Sequence, residues 1–504
     1  MGIPAYYKYA NAKYKNITLT QKPEQIDRLF LDFNGIIHGC KHQVLLNNGS
    51  EKDMYKAVLD YVESIVSYIQ PQQLLYIAVD GVAPRAKMEQ QRKRRYKSQQ
   101  DMALEPVNEN EPVLKKWDSN AITPGTKFMF FLDKALFYSV YLRKLAKNIN
   151  VIISNSSVPG EGEQKIYKYI RTINNGINVV HGLDADLFML SLLQKDKNIY
   201  LYRELDTKPT FVNICLLSKQ IHMPPEDYIV LSFLMGNDFI PKTYALYLRM
   251  NALDLVTKIY VETYNLLKKR LVQSSKIDHE FLYILIKKIA EKENELVEQR
   301  ATKMVYKNFK YHGHSKKDRF DYFPDYHRNA EVYINFGNTG WESRYYEKCD
   351  CNNDIENMCK EYIRGLAWNL SYYVSKNPNI ECDQGWYYPY IHAPLFKDLV
   401  HYLEHNNIET PRSNKSYNSF EQLLTVLPPQ SSHLLPKSWR RHVKKNKTQF
   451  PPRFLLDPIG CVFRWECSPI LPLFDESLYN DYKNFALTED EKRRQKKYKE
   501  YQLI

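Results

Sequence analysis

The chain has 504 residues, 44% of them hydrophobic and 26% charged, which is globular composition with room for a large core and more than one domain. Lys and Arg number 71 against 58 Asp and Glu, a net charge of +13, and such an excess favours a polyanionic partner. No stretch approaches the ~18 apolar residues a membrane span needs, the Tyr- and Lys-rich start has no apolar signal core, and eight scattered Cys read as thiols, so a soluble intracellular protein is expected.

Residues 1–265 alternate strand-like and helix-like runs. Short apolar stretches at 28–33 (RLFLDF), 74–79 (LLYIAV), 151–154 (VIIS) and 178–181 (NVVH) are separated by longer amphipathic ones such as 53–69. Alternation of this kind predicts an α/β unit, a parallel sheet covered by helices. Residues 266–354 change character. A charged run at 278–300 without Pro or Gly reads as helix, a His- and Lys-rich loop follows at 311–323, and the whole reads as a connector or an insertion. Cys349, Cys351 and Cys359 lack paired zinc-ligand spacing and a fourth partner, so they are not read as a metal site. A second, aromatic-rich region spans 355–480. The charged end, 481–504, reads as a helix or tail whose basic run at 492–499 is a solvated face or an RNA contact rather than a nuclear address. No internal repeat is visible.

Acids follow the apolar runs. Asp32 ends the first and Asp80 the second. Glu161 and Glu163 follow the third, Asp184 and Asp186 the fourth, and Asp238 a fifth, helix-like stretch. Ligands of an open parallel sheet bind outside the carboxyl ends of its strands. These seven acids would therefore crowd one edge. Each alone reads as a turn or helix cap; together they are costly without cations, because crowded carboxylates repel. Hard divalent ions take such oxygen ligands, and a pair of them about 4 Å apart suits phosphodiester hydrolysis.

Directly after the second run comes DGVAPRAKMEQQRKRRYKS. On a helix, Lys87, Gln91, Arg94 and Arg95 fall at offsets 0, 4, 7 and 8 and share a face. Beside Asp80, that face suits a terminal phosphate. The alternatives are a solvated basic face or a nuclear localisation patch.

These strings resemble the XRN family of 5′→3′ exoribonucleases. The resemblance rests on MGIPAYYKY, LDFNGIIHGC, LLYIAVDGVAPRAKMEQQRKRRYKS, WDSNAITPGTKFM, VPGEGEQKI, GLDADLFML and FLMGNDFIP, then CKEYIRGLAWNLSYY, GWYYPYIHAP, FEQLLTVLPPQSSHLLP and WECSPILPLFDE. It covers most of 1–265 and of about 355–480. It implies a PIN/FEN-like, mostly parallel sheet flanked by helices, with a second, mostly helical region packed around the active site. It implies that the seven acids bind two Mg²⁺ ions, with Mn²⁺ a substitute. It also implies that Lys87, Gln91, Arg94 and Arg95 take the 5′-phosphate, and that His38 and Trp386 clamp bases by stacking. The expected substrate is single-stranded RNA with a 5′-monophosphate, released as 5′-mononucleotides in RNA turnover. A monomer is expected, cytoplasmic with the nucleus as alternative. Three departures are visible: long C-terminal extensions are absent, the spacer between the two regions is short, and Lys242 follows GNDFIP where the family commonly has His. The rivals are a flap-endonuclease-like nuclease acting on DNA, and an inactive RNA-binding scaffold.

Overall fold

A computed structural model describes residues 3, 5–104, 117–205, 208–308, 315–349, 354–496 and 499–503. Cys351, residues 311–314 of the His- and Lys-rich loop, residues 1, 2 and 4 of the Tyr- and Lys-rich start, and residues 497–498 of the last basic run lie outside that set.

An eight-stranded mixed sheet organises the chain. Its strands are β1 (Thr18–Leu19), β2 (Arg28–Asp32), β3 (Leu74–Ala78), β4 (Asn150–Ser154), β5 (Ile177–His181), β6 (Asn198–Leu205), β7 (Lys208–Asn213) and β8 (Tyr501–Leu503). They lie in the order β1-β7-β6-β5-β2-β3-β4-β8. The central five, β6-β5-β2-β3-β4, are parallel, and antiparallel pairs close both edges. All five residues of β3 are buried, as expected for a strand covered on both faces. Along β2, Phe30 joins one hydrophobic cluster while Leu29 and Leu31 join another, so the sheet separates two cores.

The helices that matter for the site follow the strands. They are α1 (Phe33–Leu46), α2 (Glu51–Ile69), α3 (Arg85–Leu104), α4 (Lys127–Phe137), α5 (Gly162–Ile170), α6 (Asp186–Leu192) and α7 (Pro225–Phe233). In the later part come α8 (Ile355–Val374), α9 (Ser419–Val426) and α10 (Glu489–Gln495). The reasons are local. In α2 a capping box between Ser50 and Asp53 starts the helix, and Met54, Val58, Val62, Ile65 and Ile69 form its buried stripe.

Two segments differ from their sequence reading. The stretch read as a connector is packed into the larger core through Phe281, Leu285 and Ile289, and its charged run is two helices, His279–Ala290 and Glu293–Asn308. The charged C-terminal end folds back as α10 and β8. There Tyr501, Gln502 and Leu503 pair with Ile153, Ile152 and Val151, and Tyr76 donates to Glu500 at 2.8 Å. A three-residue Tyr-Gln-Leu segment at the end of a charged tail was too short to read as a strand. No helix among the described residues is long and apolar enough to cross a membrane.

Candidate active site

The parallel strands deliver their following acids to one cavity of about 710 Å³. Asp32 ends β2, and Asp80 lies two residues beyond β3. Glu161 caps α5 and Glu163 sits in its first turn. Asp184 lies between β5 and α6, and Asp186 opens α6. Asp238 follows α7. All except Asp186 line the cavity, and Asp186 is buried at its wall.

Close packing fixes the arrangement. A Cβ at Gly162 would lie 2.8 Å from Asp32 Oδ1 and 3.3 Å from Asp80 Oδ1, so the residue between the two glutamates must be glycine. Its backbone N–H donates to Asp80 Oδ1 at 2.7 Å. Asn34 holds Asp80 from the other side: its Nδ2 donates to Oδ2 at 2.8 Å, and its Oδ1 accepts from the Asp80 N–H at 3.2 Å. Two tyrosines on α8 secure the buried acids. Tyr372 donates to Glu161 and Tyr373 to Asp186, at 2.5 and 2.6 Å.

Electrostatically the cluster is short of positive charge. Burial, then the neighbouring Asp80 and Asp184, hold the Asp32 carboxyl well above the usual range. Burial and Asp186 do the same to Glu163, and burial with Asp238 pushes Asp186 to about 6. Lys87 relieves part of this, with its Nζ 2.5 Å from Glu161 and 3.0 Å from Asp238. Burial alone would depress that ammonium, but Glu161 and Asp238 outweigh it and hold it firmly protonated. One lysine among seven acids leaves a donor set of hard oxygens with excess negative charge, which fits divalent cations. Among the described residues, only His401, Glu404 and His405, exposed on the helix Phe396–His405, bring three ligand atoms within 4.8 Å of one another. The seven acids stand wider apart, around Lys87.

The basic face is present and its members are differently employed. Gln91, Arg94 and Arg95 line the cavity, as does Lys87. Lys87, read from sequence as a phosphate ligand, is paired with the acids instead, because its ammonium is the counter-charge nearest to them. Gln91 is buried and accepts from Gln422 at 3.1 Å. Arg94 is exposed, whereas Arg95 is 7% exposed with an Nη1 that meets no hydrogen-bond partner. Burial and the neighbouring Arg94 push the Arg95 guanidinium down to about 9. A buried, still-charged guanidinium with an unmatched nitrogen is what an incoming anion would satisfy.

His38, on α1, is exposed and lines the same cavity. Trp386 does not line it. Its ring is 6% exposed, packs 5.2 Å from the Trp368 ring, and donates its N–H to Glu361 at 2.8 Å. The stacking role expected for Trp386 rests on the family resemblance, and in this structure the indole packs on Trp368. An adjoining cavity of about 620 Å³ shares Arg94 and Asp238 with the first and presents Tyr387, Tyr390 and Trp465, the last 57% exposed.

Sequence reading passed over four residues that hold the site together: Asn34, Tyr372, Tyr373 and Lys165. The Lys165 ammonium is buried and donates to the carbonyls of Val79 and Asn155 at 2.6 and 3.0 Å, and burial pushes it down to about 7. It ties the ends of β3 and β4 together beneath the acids. A lysine two residues after Glu163 on an otherwise buried helix was the available signal.

Comparison with known proteins bears on this geometry. The family model described as XRN 5′-3′ exonuclease N-terminus matches residues 1–205, and that of the Xrn1 helical domain matches 222–331 and 312–504. The chain is 25% identical to the 5′-3′ exoribonuclease 2 of Candida albicans, over 98% of its own length and 73% of that protein's. It is 26% identical to the 5′-3′ exoribonuclease 2 of Gallus gallus, over 94% of this chain and 69% of that one. With the 5′-3′ exoribonuclease 1 of Homo sapiens it shares 28% identity over 94% of this chain, which is 34% of that protein. Among solved structures, the catalytic core of Rad2 in complex with DNA substrate aligns over 60% of this chain and 78% of that one, at 13% identity. The TM-score is 0.36, too low to bear on site or substrate.

Proposed function

The chain belongs to the XRN family of 5′→3′ exonucleases and is a 5′→3′ exoribonuclease; we propose that it hydrolyses single-stranded RNA from a 5′-monophosphate end, one nucleotide at a time. The observation that carries this reading is one cavity lined by six of the seven carboxylates, with Asp186 buried at its wall, and by Arg95, a buried guanidinium with an unmatched nitrogen. The terminal phosphate docks on Arg95 and Arg94, with Gln91 beside them, and registers the first internal linkage over the acids. Asp32, Asp80, Glu161, Glu163, Asp184, Asp186 and Asp238 are the residues that would hold the metal, two Mg²⁺ ions with Mn²⁺ as a substitute. When bound, such ions supply Lewis acidity for attack of water on phosphorus and for departure of the 3′ oxygen. Asn34, Tyr372 and Tyr373 keep the carboxylates oriented. Metal held by the acids would replace the Lys87 ammonium as the counter-charge of Glu161 and Asp238 and would free it for the substrate phosphate.

His38 is placed to stack on the first base. The exposed Trp465 and the half-buried Tyr387 and Tyr390, with Lys93 and Arg94 beside them, offer a basic stacking groove adjoining Asp238. Stacking of this kind tolerates any base, as digestion of whole transcripts in RNA turnover requires. The enzyme acts as a monomer, in the cytoplasm.

A time course on RNAs that differ only at the 5′ end tests this. Monophosphorylated RNA should be degraded to 5′-mononucleotides with Mg²⁺ and not without it. Hydroxyl, triphosphate and capped ends should persist. Equal degradation of all four, or cleavage of flapped DNA in preference to RNA, would overturn the reading.

A further inference from the structure

A separate cavity of about 530 Å³ lies behind the loops that carry Asp80 and Glu161, between α4, α9, α10 and β8. Its size is in the usual range for small-molecule sites. Five cations line it, Lys134, Arg493, Arg494, Lys496 and Lys499, against a single acid, Asp133. Arg494 is committed to structure, with Nη1 on the Gly125 carbonyl at 2.7 Å and Nε 3.2 Å from Asp490. Asp133 is engaged by Ser156, whose Oγ donates to it at 2.7 Å, and burial pushes its carboxyl up to about 6. The field inside is therefore positive.

The walls are aromatic. Phe130, Phe137, Tyr138 and Tyr501 line the cavity, with Phe137 and Tyr501 edge to face at 5.2 Å. Phe137 and Tyr138 are 38% and 68% exposed, so ring surface is left to water. Ser419, also in the lining, has a buried Oγ without a hydrogen-bond partner. Aromatic faces, a rim of ammonium and guanidinium groups and an unmatched hydroxyl together suit a ligand that is flat at one end and anionic at the other.

We propose that this cavity is a second ligand site, binding a nucleoside phosphate with its base against Phe137, Tyr138 and Tyr501 and its phosphate on Lys134, Lys496 and Lys499. The ligand is a free mononucleotide or one nucleotide of a longer RNA strand. The placement gives binding there a consequence. Asn155, Ser156 and Ser157 line the cavity and lead directly to Glu161, and Val82, also in the lining, follows Asp80 by two residues. The two loops are joined by the Gly81 N–H on the Gly160 carbonyl and the Gly160 N–H on the Val82 carbonyl, both at 2.8 Å. A ligand seated against both loops stiffens the segments that position two of the metal-binding acids.

Calorimetric titration of AMP into the full chain in EDTA tests the site. Wild type, Lys134→Glu/Lys496→Glu and Arg95→Ala are compared, with folding checked by melting temperature. Two AMP sites are expected in wild type. The lysine pair should lose one and keep its activity on 5′-monophosphorylated RNA, and Arg95→Ala should lose the other. Adenosine and inorganic phosphate should each bind the cavity at least tenfold more weakly than AMP. A 5′-hydroxyl tetra-adenylate that displaces AMP from the cavity identifies an RNA strand as the source; failure to displace it identifies the free mononucleotide. A single AMP site lost only in the lysine pair would support the cavity and count against the catalytic phosphate pocket. Two sites retained in a folded Lys134→Glu/Lys496→Glu variant, a single site lost only in Arg95→Ala, or no AMP binding at all would overturn the proposal.

Discussion

Lys87 stands four residues before Gln91 and seven before Arg94, on the face that sequence assigns to phosphate, yet its ammonium lies between Glu161 and Asp238. Helical spacing fixes which face a residue shares, not which of two neighbouring anions its flexible stem reaches. Arg95 is the reverse case, since its buried guanidinium lines the cavity with a nitrogen that meets no hydrogen-bond partner. Arg95→Ala should therefore erase much of the preference for a 5′-phosphate, raising KM for monophosphorylated RNA by about 10–100-fold, as expected for one charged hydrogen-bonding group. Steady-state kinetics on phosphate and hydroxyl ends checks this. Replacing Asp184 and Asp186 together by Ala should lower turnover about a thousandfold or more, the loss of several kcal/mol of transition-state stabilisation, while filter binding still detects RNA. Away from the site, the buried pair of His392 and Asp457, 2.6 Å apart, carries a pH signature. Burial alone would depress the histidine, but Asp457 outweighs it and raises its pKa above 6.5, while His392 holds Asp457 below 3.8 against the effect of burial. The stabilisation from His392 is complete below pH 6.5 and is lost as pH rises through its raised folded value; that from Asp457 is present above pH 3.8 and lost on acidification. Asp457→Asn should cost about 3 kcal/mol and flatten the melting temperature against pH above 6.5.

At the scale of elements, the strand ends were the most legible part of the chain. Period and composition located β2, β3, β4 and β5 within a residue or two, and with them the acids at their carboxyl ends. α3 was read as a helix, but its surroundings were not legible. A stretch with so many Lys, Arg and Gln reads as solvated, whereas Arg85 and Arg92 are fully buried. Arg85 pairs with Glu89 one turn along the same helix, but the other partners are remote in sequence: Arg85 also pairs with Glu476 and lies over the Tyr387 ring, and Arg92 donates to the carbonyls of Pro472 and Gln449. Only the folded C-terminal region supplies those partners. The packing of Trp386 on Trp368 was not legible for the same reason, because nothing local distinguishes an aromatic that packs in a core from one that faces a ligand. β8 escaped because strand pairing at an edge depends on a partner some 350 residues away in the chain. Leu503 is 4% exposed in the core beneath that edge, so Leu503→Ala should cost about 2–3 kcal/mol, read as a lower denaturant midpoint.

Across the whole molecule, residues from the first and last parts of the chain build one site. The sheet of the first half sets out the carboxylates, and α8 and α9 of the second half reach over with Tyr372, Tyr373 and Gln422 to hold Glu161, Asp186 and Gln91. A cavity enclosed in this way admits a strand end more readily than the middle of a strand. A covalently closed circular RNA should therefore persist under conditions that consume its 5′-monophosphorylated linear form, as gel analysis of the two would show. The remaining question is where cations sit, and anomalous diffraction from crystals soaked in Mn²⁺ answers it most directly. The expected result is two peaks among Asp32, Asp80, Glu161, Glu163, Asp184, Asp186 and Asp238, with the Lys87 ammonium displaced from Glu161 and Asp238. Mn²⁺ only at the exposed trio His401, Glu404 and His405, with Lys87 still bridging the acids, would contradict the account.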